Sequence, residues 1–303
     1  MTAISVLRDY AWIPITVAAA LFQCIRTVLQ KRMTARLSAN ANTFTRYAFG
    51  LPFVLLYLGA VAALHEAPLP GLNAKFLVAT VVGGAAQIIA TSLLILAFMS
   101  RSFAVATALS KTEAVQAAVF GVILLGERVT PGGVIAMLTI FTGVIAMSAP
   151  GGEKWTFKVD RAAVYGLLAG TMFGVTAVGI RGANLALESA YIPAAAVTLA
   201  AMVLLQAISL GVYLAWREAA QLGALVKSWR PALLVGLFSA LGSIGWFTGM
   251  ALEKAAYVRT LGQVELVFTV LASRFYFREA MKPREMAGIA LIAVGILILL
   301  WAA

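Results

Sequence analysis

Residues 108–147, ALSKTEAVQAAVFGVILLGERVTPGGVIAMLTIFTGVIAM, align without gaps on residues 260–299, TLGQVELVFTVLASRFYFREAMKPREMAGIALIAVGILIL, at a constant shift of 152. Only 7 of the 40 positions are identical, little above the background for apolar sequence, but the matched positions are informative. Glu113 falls on Glu265, Glu127 on Glu279, Pro131 on Pro283 and Gly143 on Gly295. The whole chain has only 12 acidic residues in 303, so glutamate meeting glutamate twice points to an internal repeat. The reading divides the chain into two related halves, 1–150 and 151–303.

Composition says what the halves are made of. Apolar residues make up 62% of the chain, charged residues 12%, and mean hydropathy is +0.95. A soluble domain carries about 25% charge and about 45–50% apolar residues. A soluble enzyme, a nucleic-acid-binding domain and a disordered chain are therefore excluded. A lipid-crossing helix takes roughly 20 apolar residues, so ten use about 200 and leave enough for loops. A lipid-spanning barrel would show short alternating segments instead. The net charge of +11 is assigned to loops at a membrane surface, not to a nucleic-acid partner. Cys24 is the only cysteine and His65 the only histidine, which leaves no internal disulfide and no cysteine metal cluster. No cofactor and no metal are expected. The first apolar run, from near Tyr10, is too long for a cleaved leader and is read as the first helix.

Apolar runs and breaker residues predict an all-α polytopic membrane protein of ten helices. The spans are Tyr10–Met33, Thr43–Leu64, Ala74–Met99, Phe103–Leu125, Thr130–Ala149, Ala162–Ala186, Tyr191–Trp216, Pro231–Glu253, Tyr257–Phe277 and Pro283–Trp301. Pro131, Pro193, Pro231 and Pro283 sit at proposed helix starts, where a missing N–H costs little. Pro52, after Gly50, marks a kink in the second span. Small-residue stripes at Gly166, Gly170 and Gly174, and at Gly245 and Gly249, mark close helix packing. Trp12, Trp216 and Trp301 are assigned to the interfacial belt. Five helices per half is an odd number, so the second half enters the membrane upside down. Transporters built from such inverted repeats bind substrate near the bilayer midplane, around a central cavity.

The stretch Leu125-Gly126-Glu127-Arg128-Val129-Thr130-Pro131, its echo Phe277-Arg278-Glu279-Ala280-Met281-Lys282-Pro283, and the glycine-rich helices that follow each carry a family resemblance. The chain resembles the ten-helix, EamA-type branch of the drug/metabolite transporter superfamily over nearly its whole length. The resemblance implies a basket of ten helices. It implies a cavity lined largely by spans one, three, four, six, eight and nine, and export of small metabolites across a bacterial-type inner membrane. Amino-acid exporters of this branch, those for aromatic amino acids included, are the relatives it suggests.

Basic residues sort unevenly between the loops. Thirteen follow the odd-numbered spans and six lie on the opposite side, among them Arg181 and Arg259; Arg26, Arg46, Lys111 and Arg274 fall within spans. The positive-inside rule places both termini outside the cytoplasm. The resemblance implies both termini inside; the two stand opposed, and insertion in both orientations is the third alternative.

Charges inside spans are costly, about 2.5–3.5 kcal/mol each at mid-bilayer on insertion scales, so each needs a reason. Arg46 and Arg274 lie near predicted span ends, where long side chains snorkel to water. Arg26 lies about 10 Å from the end of its helix, between snorkelling and a cavity role. Glu113 and Glu265 lie about 15 Å and 12 Å into continuous helices, too deep to reach the surface. Lys111, two residues from Glu113, points away from it and is expected to meet a partner on another helix, with Glu265 the candidate. The bland reading is a structural ion pair between helices. The functional reading is that one or both glutamates line the cavity and carry protons or bind substrate. Burial disfavours a charged carboxyl, so such a group can take a proton on one side and release it on the other. A Lys111–Glu265 pair would leave Glu113 as the better proton carrier.

Gln23, Gln116 and Gln206 are read as helix-to-helix glue, with Gln87 and Gln263 kept as cavity candidates. Trp246 sits mid-span, outside the interfacial belt, and is a candidate for stacking on a flat ligand. Arg26, Lys111, Glu113 and Glu265 together carry no net charge, which suits a zwitterion such as an amino acid. The expected partners are a small-molecule substrate, a proton as counter-ion and membrane lipid. A membrane-embedded enzyme would need a nucleophile–base pair, and a Ser–Lys dyad using Lys111 has no supporting motif. A passive channel has no need of paired buried acids. No GxxxxGK loop is present, so ATP is not expected to drive transport directly.

Overall fold

The computed structural model describes residues 10–65, 69–98, 109–148, 161–276 and 283–302. These residues form thirteen α-helices and no strand. The first half holds α1 (Trp12–Met33), α2 (Ala39–Ala48), α3 (Leu51–Leu64), α4 (Ala74–Phe98), α5 (Glu113–Leu125) and α6 (Pro131–Ser148). The second holds α7 (Arg161–Ala186), α8 (Tyr191–Arg217), α9 (Ala219–Lys227), α10 (Trp229–Leu252), α11 (Ala255–Leu261), α12 (Val264–Tyr276) and α13 (Pro283–Ala302). Six helical segments are long and apolar enough to cross a membrane: α1, α2 with α3, α4, α7, α8 and α10. The others include shorter apolar helices. The all-helical plan follows from the solvent, since a backbone in lipid must satisfy its hydrogen bonds within the segment.

Three predicted spans are discontinuous. The second divides at Phe49-Gly50 into α2 and α3, with Pro52 in the first turn of α3. The ninth divides at Gly262-Gln263 into α11 and α12. The fourth turns at Lys111-Thr112 before α5 begins; its predicted start, residues 103–108, lies outside the described residues. Also outside them are the echo motif up to Lys282, the loop cations Arg8, Arg101, Lys154, Lys158 and Arg278, and the Arg274 side chain.

The main packing partners are α4 with α7, α10 with α1, and α6 with α13. In span numbers these are three with six, eight with one, and five with ten. Exchanging the halves converts the first pair into the second and returns the third to itself. Small residues permit the closest approach: a Cβ on Gly179 of α7 would stand 2.8 Å from the Cα of Gly83 on α4. The predicted stripes also serve packing, with Gly170 against the carbonyls of Leu109 and Ser110 and Gly245 against Ala19 of α1.

Outward faces carry exposed apolar side chains such as Leu56, Ile123 and Leu297, as a lipid-facing surface requires. Trp216 and Trp301 are exposed near helix ends. Trp12 is not: only 2% exposed, it packs in the central core with residues of α8 and α10, so the predicted belt role is corrected. Two cations assigned to loops are corrected as well. Arg181 turns into the protein, donating from Nε to Glu127 at 3.0 Å and from a terminal nitrogen to the carbonyls of Met250 and Ala251 at 3.1 and 3.0 Å. It thereby caps the end of α10, whose last carbonyls have no partner within the helix. Arg259 lies within α11 and is buried.

Candidate functional site

The breaks in the fourth and ninth spans decide where the acids stand. Gly262 has no side chain, and the space a Cβ would take there is occupied by the six-membered ring of Trp246. The chain continues past it on tight i to i+3 bonds: Gln263 N–H to the Thr260 carbonyl at 3.2 Å, then Glu265 N–H to the Gly262 carbonyl at 3.1 Å. At the corresponding place in the first half, Thr112 N–H reaches the Leu109 carbonyl at 3.2 Å. Each break starts a new helix, and each new helix has its glutamate in the first turn: Glu113 in α5 and Glu265 in α12. The sequence reading placed both acids deep in continuous helices. They stand instead at half-helix N-termini, whose free N–H groups and dipole favour negative charge. Gly262→Ala is expected to push Trp246 aside and cost about 1–3 kcal/mol. Thermal unfolding in detergent together with tryptophan emission checks this, and an unchanged spectrum and midpoint would refute it.

Each acid is held by a base from the opposite half. Lys111, at the break before α5, places Nζ 2.9 Å from Glu265 Oε2. Arg259, near the end of α11, stands 3.8 Å from Glu113 Oε1. The first contact is a hydrogen-bonded ion pair; the second is a charge contact at the edge of ion-pair range. Glu265 also accepts from Gln23 Nε2 at 2.8 Å, and Gln23 Oε1 accepts from Trp246 Nε1 at 2.9 Å. A chain Lys111–Glu265–Gln23–Trp246 thus ties α1, α10 and both broken spans together. The Arg259 guanidinium lies 4.8 Å from the Trp246 ring centre and 6.0 Å from that of Phe173, in cation–π range.

Gln23, Trp246 and Arg259 of this network border a small cavity, whose lining does not include Lys111, Glu113 or Glu265. Gln23, Arg46, Gln87, Ser243 and Arg259 supply its polar wall, and Phe173, Trp246 and Phe247 its aromatic wall. Its volume of about 10 Å3 holds about one water molecule, so a metabolite enters only when helices separate.

The predicted residues distribute as follows. Trp246 and Gln87 line the cavity, Gln87 accepting from Gln206 Nε2 at 2.8 Å. Lys111 and Glu265 form the tight pair, and Glu113 faces Arg259. Gln263 is buried at the ninth-span break, its Nε2 on the Arg259 carbonyl at 3.2 Å, and is not among the cavity-lining residues. Arg26 is buried on α1, and its Nε has no hydrogen-bond partner. Three residues of the site were not foreseen. Gln23 was read as glue. Arg46 was read as snorkelling, yet it is 5% exposed, donates to Thr91 Oγ1 at 3.2 Å and lines the cavity. Its helix starts at Ala39, not Thr43, which carries Arg46 about a turn deeper than the hydropathy edge indicated. Arg259 is counted with the loop cations in the sorting of basic residues, although it falls inside the predicted ninth span. With Arg46 and Arg259 included, four bases face two acids, which corrects the earlier charge balance from zero to an excess of two positive charges.

The model of the EamA-like transporter family matches the chain twice, over residues 10–149 and 160–301. The chain belongs to the EamA-like transporter family. It is therefore an integral membrane protein of a family of small-molecule transporters, not of enzymes. A solved crystal structure of a protein covers 96% of this chain and 97% of its own at TM-score 0.68 and 16% identity, a likeness that shows the fold alone. No curated protein sequence matches.

Proposed function

We propose that this EamA-like protein is a secondary active exporter of small metabolites, amino acids among them, in a bacterial-type inner membrane. The halves 1–150 and 151–303 act as inverted five-helix repeats, and protons serve as the counter-ion. The observation that carries this reading is the reciprocal arrangement of Glu113 and Glu265. Each stands at a corresponding turn of a broken helix, and each faces a base from the other half. A site fastened across the two halves is one that their relative movement opens and closes. Glu113 is the proton carrier, because its only charged neighbour within ion-pair range among the described residues is the more distant Arg259. Protonation from outside releases Arg259 and lets the halves separate; deprotonation on the inner side restores the contact, and substrate moves the opposite way.

The test is purified protein in liposomes with an imposed pH gradient and labelled amino acids, aromatic ones included. Gradient-driven accumulation that a protonophore abolishes is expected. Equal movement with and without the gradient would overturn proton coupling and favour a passive pore. No movement of any amino acid would overturn the amino-acid assignment.

A further inference from the structure

We propose that, among the small metabolites it admits, the site prefers an organic anion to a zwitterion, the carboxylate held by Arg46 and Arg259 and the flat apolar part against Trp246. This inference rests on the transporter reading and names the substrate class of the same site.

Three guanidinium groups are buried, each no more than 6% exposed: those of Arg46 and Arg259, which line the cavity, and that of Arg26 on α1. Arg26 and Arg46 have no carboxylate in ion-pair range among the described residues, and Arg259 has only Glu113 at 3.8 Å. Lys111 is neutralised at 2.9 Å by Glu265, so it does not compete for a ligand's acid group. Buried cations without partners are costly, and a partner carboxylate offsets that cost. An unsatisfied polar atom marks the cavity wall, Nε of Arg259, and Nε of Arg26 on α1 and Oγ of Ser239 likewise have no hydrogen-bond partner. Ser239 and Arg46 also border a second small void that shares Arg46 and Ser243 with the first. Guanidinium is the side chain suited to gripping a carboxylate with two parallel N–H donors while stacked on an aromatic face. Arg259 lies over Trp246, so a guanidinium and an aromatic ring stand together on the cavity wall. An ammonium group on the ligand would find no free carboxylate here: Glu265 is occupied by Lys111 and Gln23, and Glu113 faces Arg259.

The probes are 3-phenylpropionate, phenylalanine and phenethylamine, which share a ring and chain and differ in charge. Their binding to the purified full chain in detergent is measured by calorimetry at pH 7. At least tenfold tighter binding of 3-phenylpropionate than of phenylalanine is expected, with no binding of phenethylamine. Arg46→Gln, which gives up the guanidinium contacts to Thr91 and Tyr47, is expected to reduce that preference at least severalfold; Arg259→Lys is expected to keep part of it. Phenylalanine binding as tightly as the anion, or an unchanged preference in Arg46→Gln, overturns the inference. The pH-gradient experiment on the same preparation judges the exporter reading separately. Gradient-driven amino-acid transport with zwitterions preferred sinks the anion assignment alone. Anion binding without transport of any solute sinks the exporter reading alone.

Discussion

Glu265→Ala is expected to lower stability by about 3–5 kcal/mol, the cost of leaving one partner of a buried ion pair uncompensated. The substitution strands the Lys111 ammonium, whose partner at 2.9 Å is gone, and frees the Gln23 amide that donates to the same oxygen. Gln23 positions Trp246 through its indole N–H, so the loss also loosens the aromatic wall of the cavity. Adding Lys111→Met to Glu265→Ala is expected to recover most of the loss, because an apolar side chain of similar length tolerates burial without a partner. Unfolding midpoints of the two single variants and the double variant in one detergent form the cycle. Additive losses would show that the pair is not coupled, and the proposed fastening between the halves would fall.

Glu113→Gln is expected to abolish pH-driven transport in liposomes while leaving gradient-independent exchange of substrate in place. The amide has nearly the shape of the carboxyl but neither binds nor releases a proton in the working range. With Arg259 permanently without its acid, the Glu113–Arg259 contact at 3.8 Å can no longer be switched. Glu265→Gln differs in kind. It weakens a hydrogen-bonded pair, so its principal effect is on stability. Gradient-driven transport that survives in Glu113→Gln removes that residue from the coupling step.

Much of the fold was legible because lipid imposes a simple grammar. Apolar runs of membrane-crossing length gave the helices, and Pro131 and Pro283 stand at the starts of α6 and α13 as their missing N–H groups require. The alignment of Glu113 with Glu265 picked out the two buried acids, and helical geometry turned Lys111 away from Glu113, leaving Glu265 as the candidate that it meets. The breaks were less legible. Hydropathy integrates over a whole crossing and is blind to one turn of irregular backbone, so the fourth and ninth spans read as continuous. A signal was present in Gly262-Gln263, a residue of poor helix propensity followed by a polar one within an apolar run. Missing the breaks hid that each acid stands in the first turn of a new helix, and the same smoothing set the edge of the second span too late and gave Arg46 a surface role. Arg259 was lost for another reason: two residues into the predicted span it reads as a cation at the membrane edge, and its tertiary contacts with Phe173, Trp246 and Glu113 show that it is inside.

The two cross-links between halves are of unequal strength, although the helices that carry them are pseudo-equivalent. One is clenched with a hydrogen bond and a glutamine splint; the other is a loose clasp. In the cycle proposed above the loose clasp is the one that parts first, so the asymmetry sets the order of events, while the gradients set the direction of net flow.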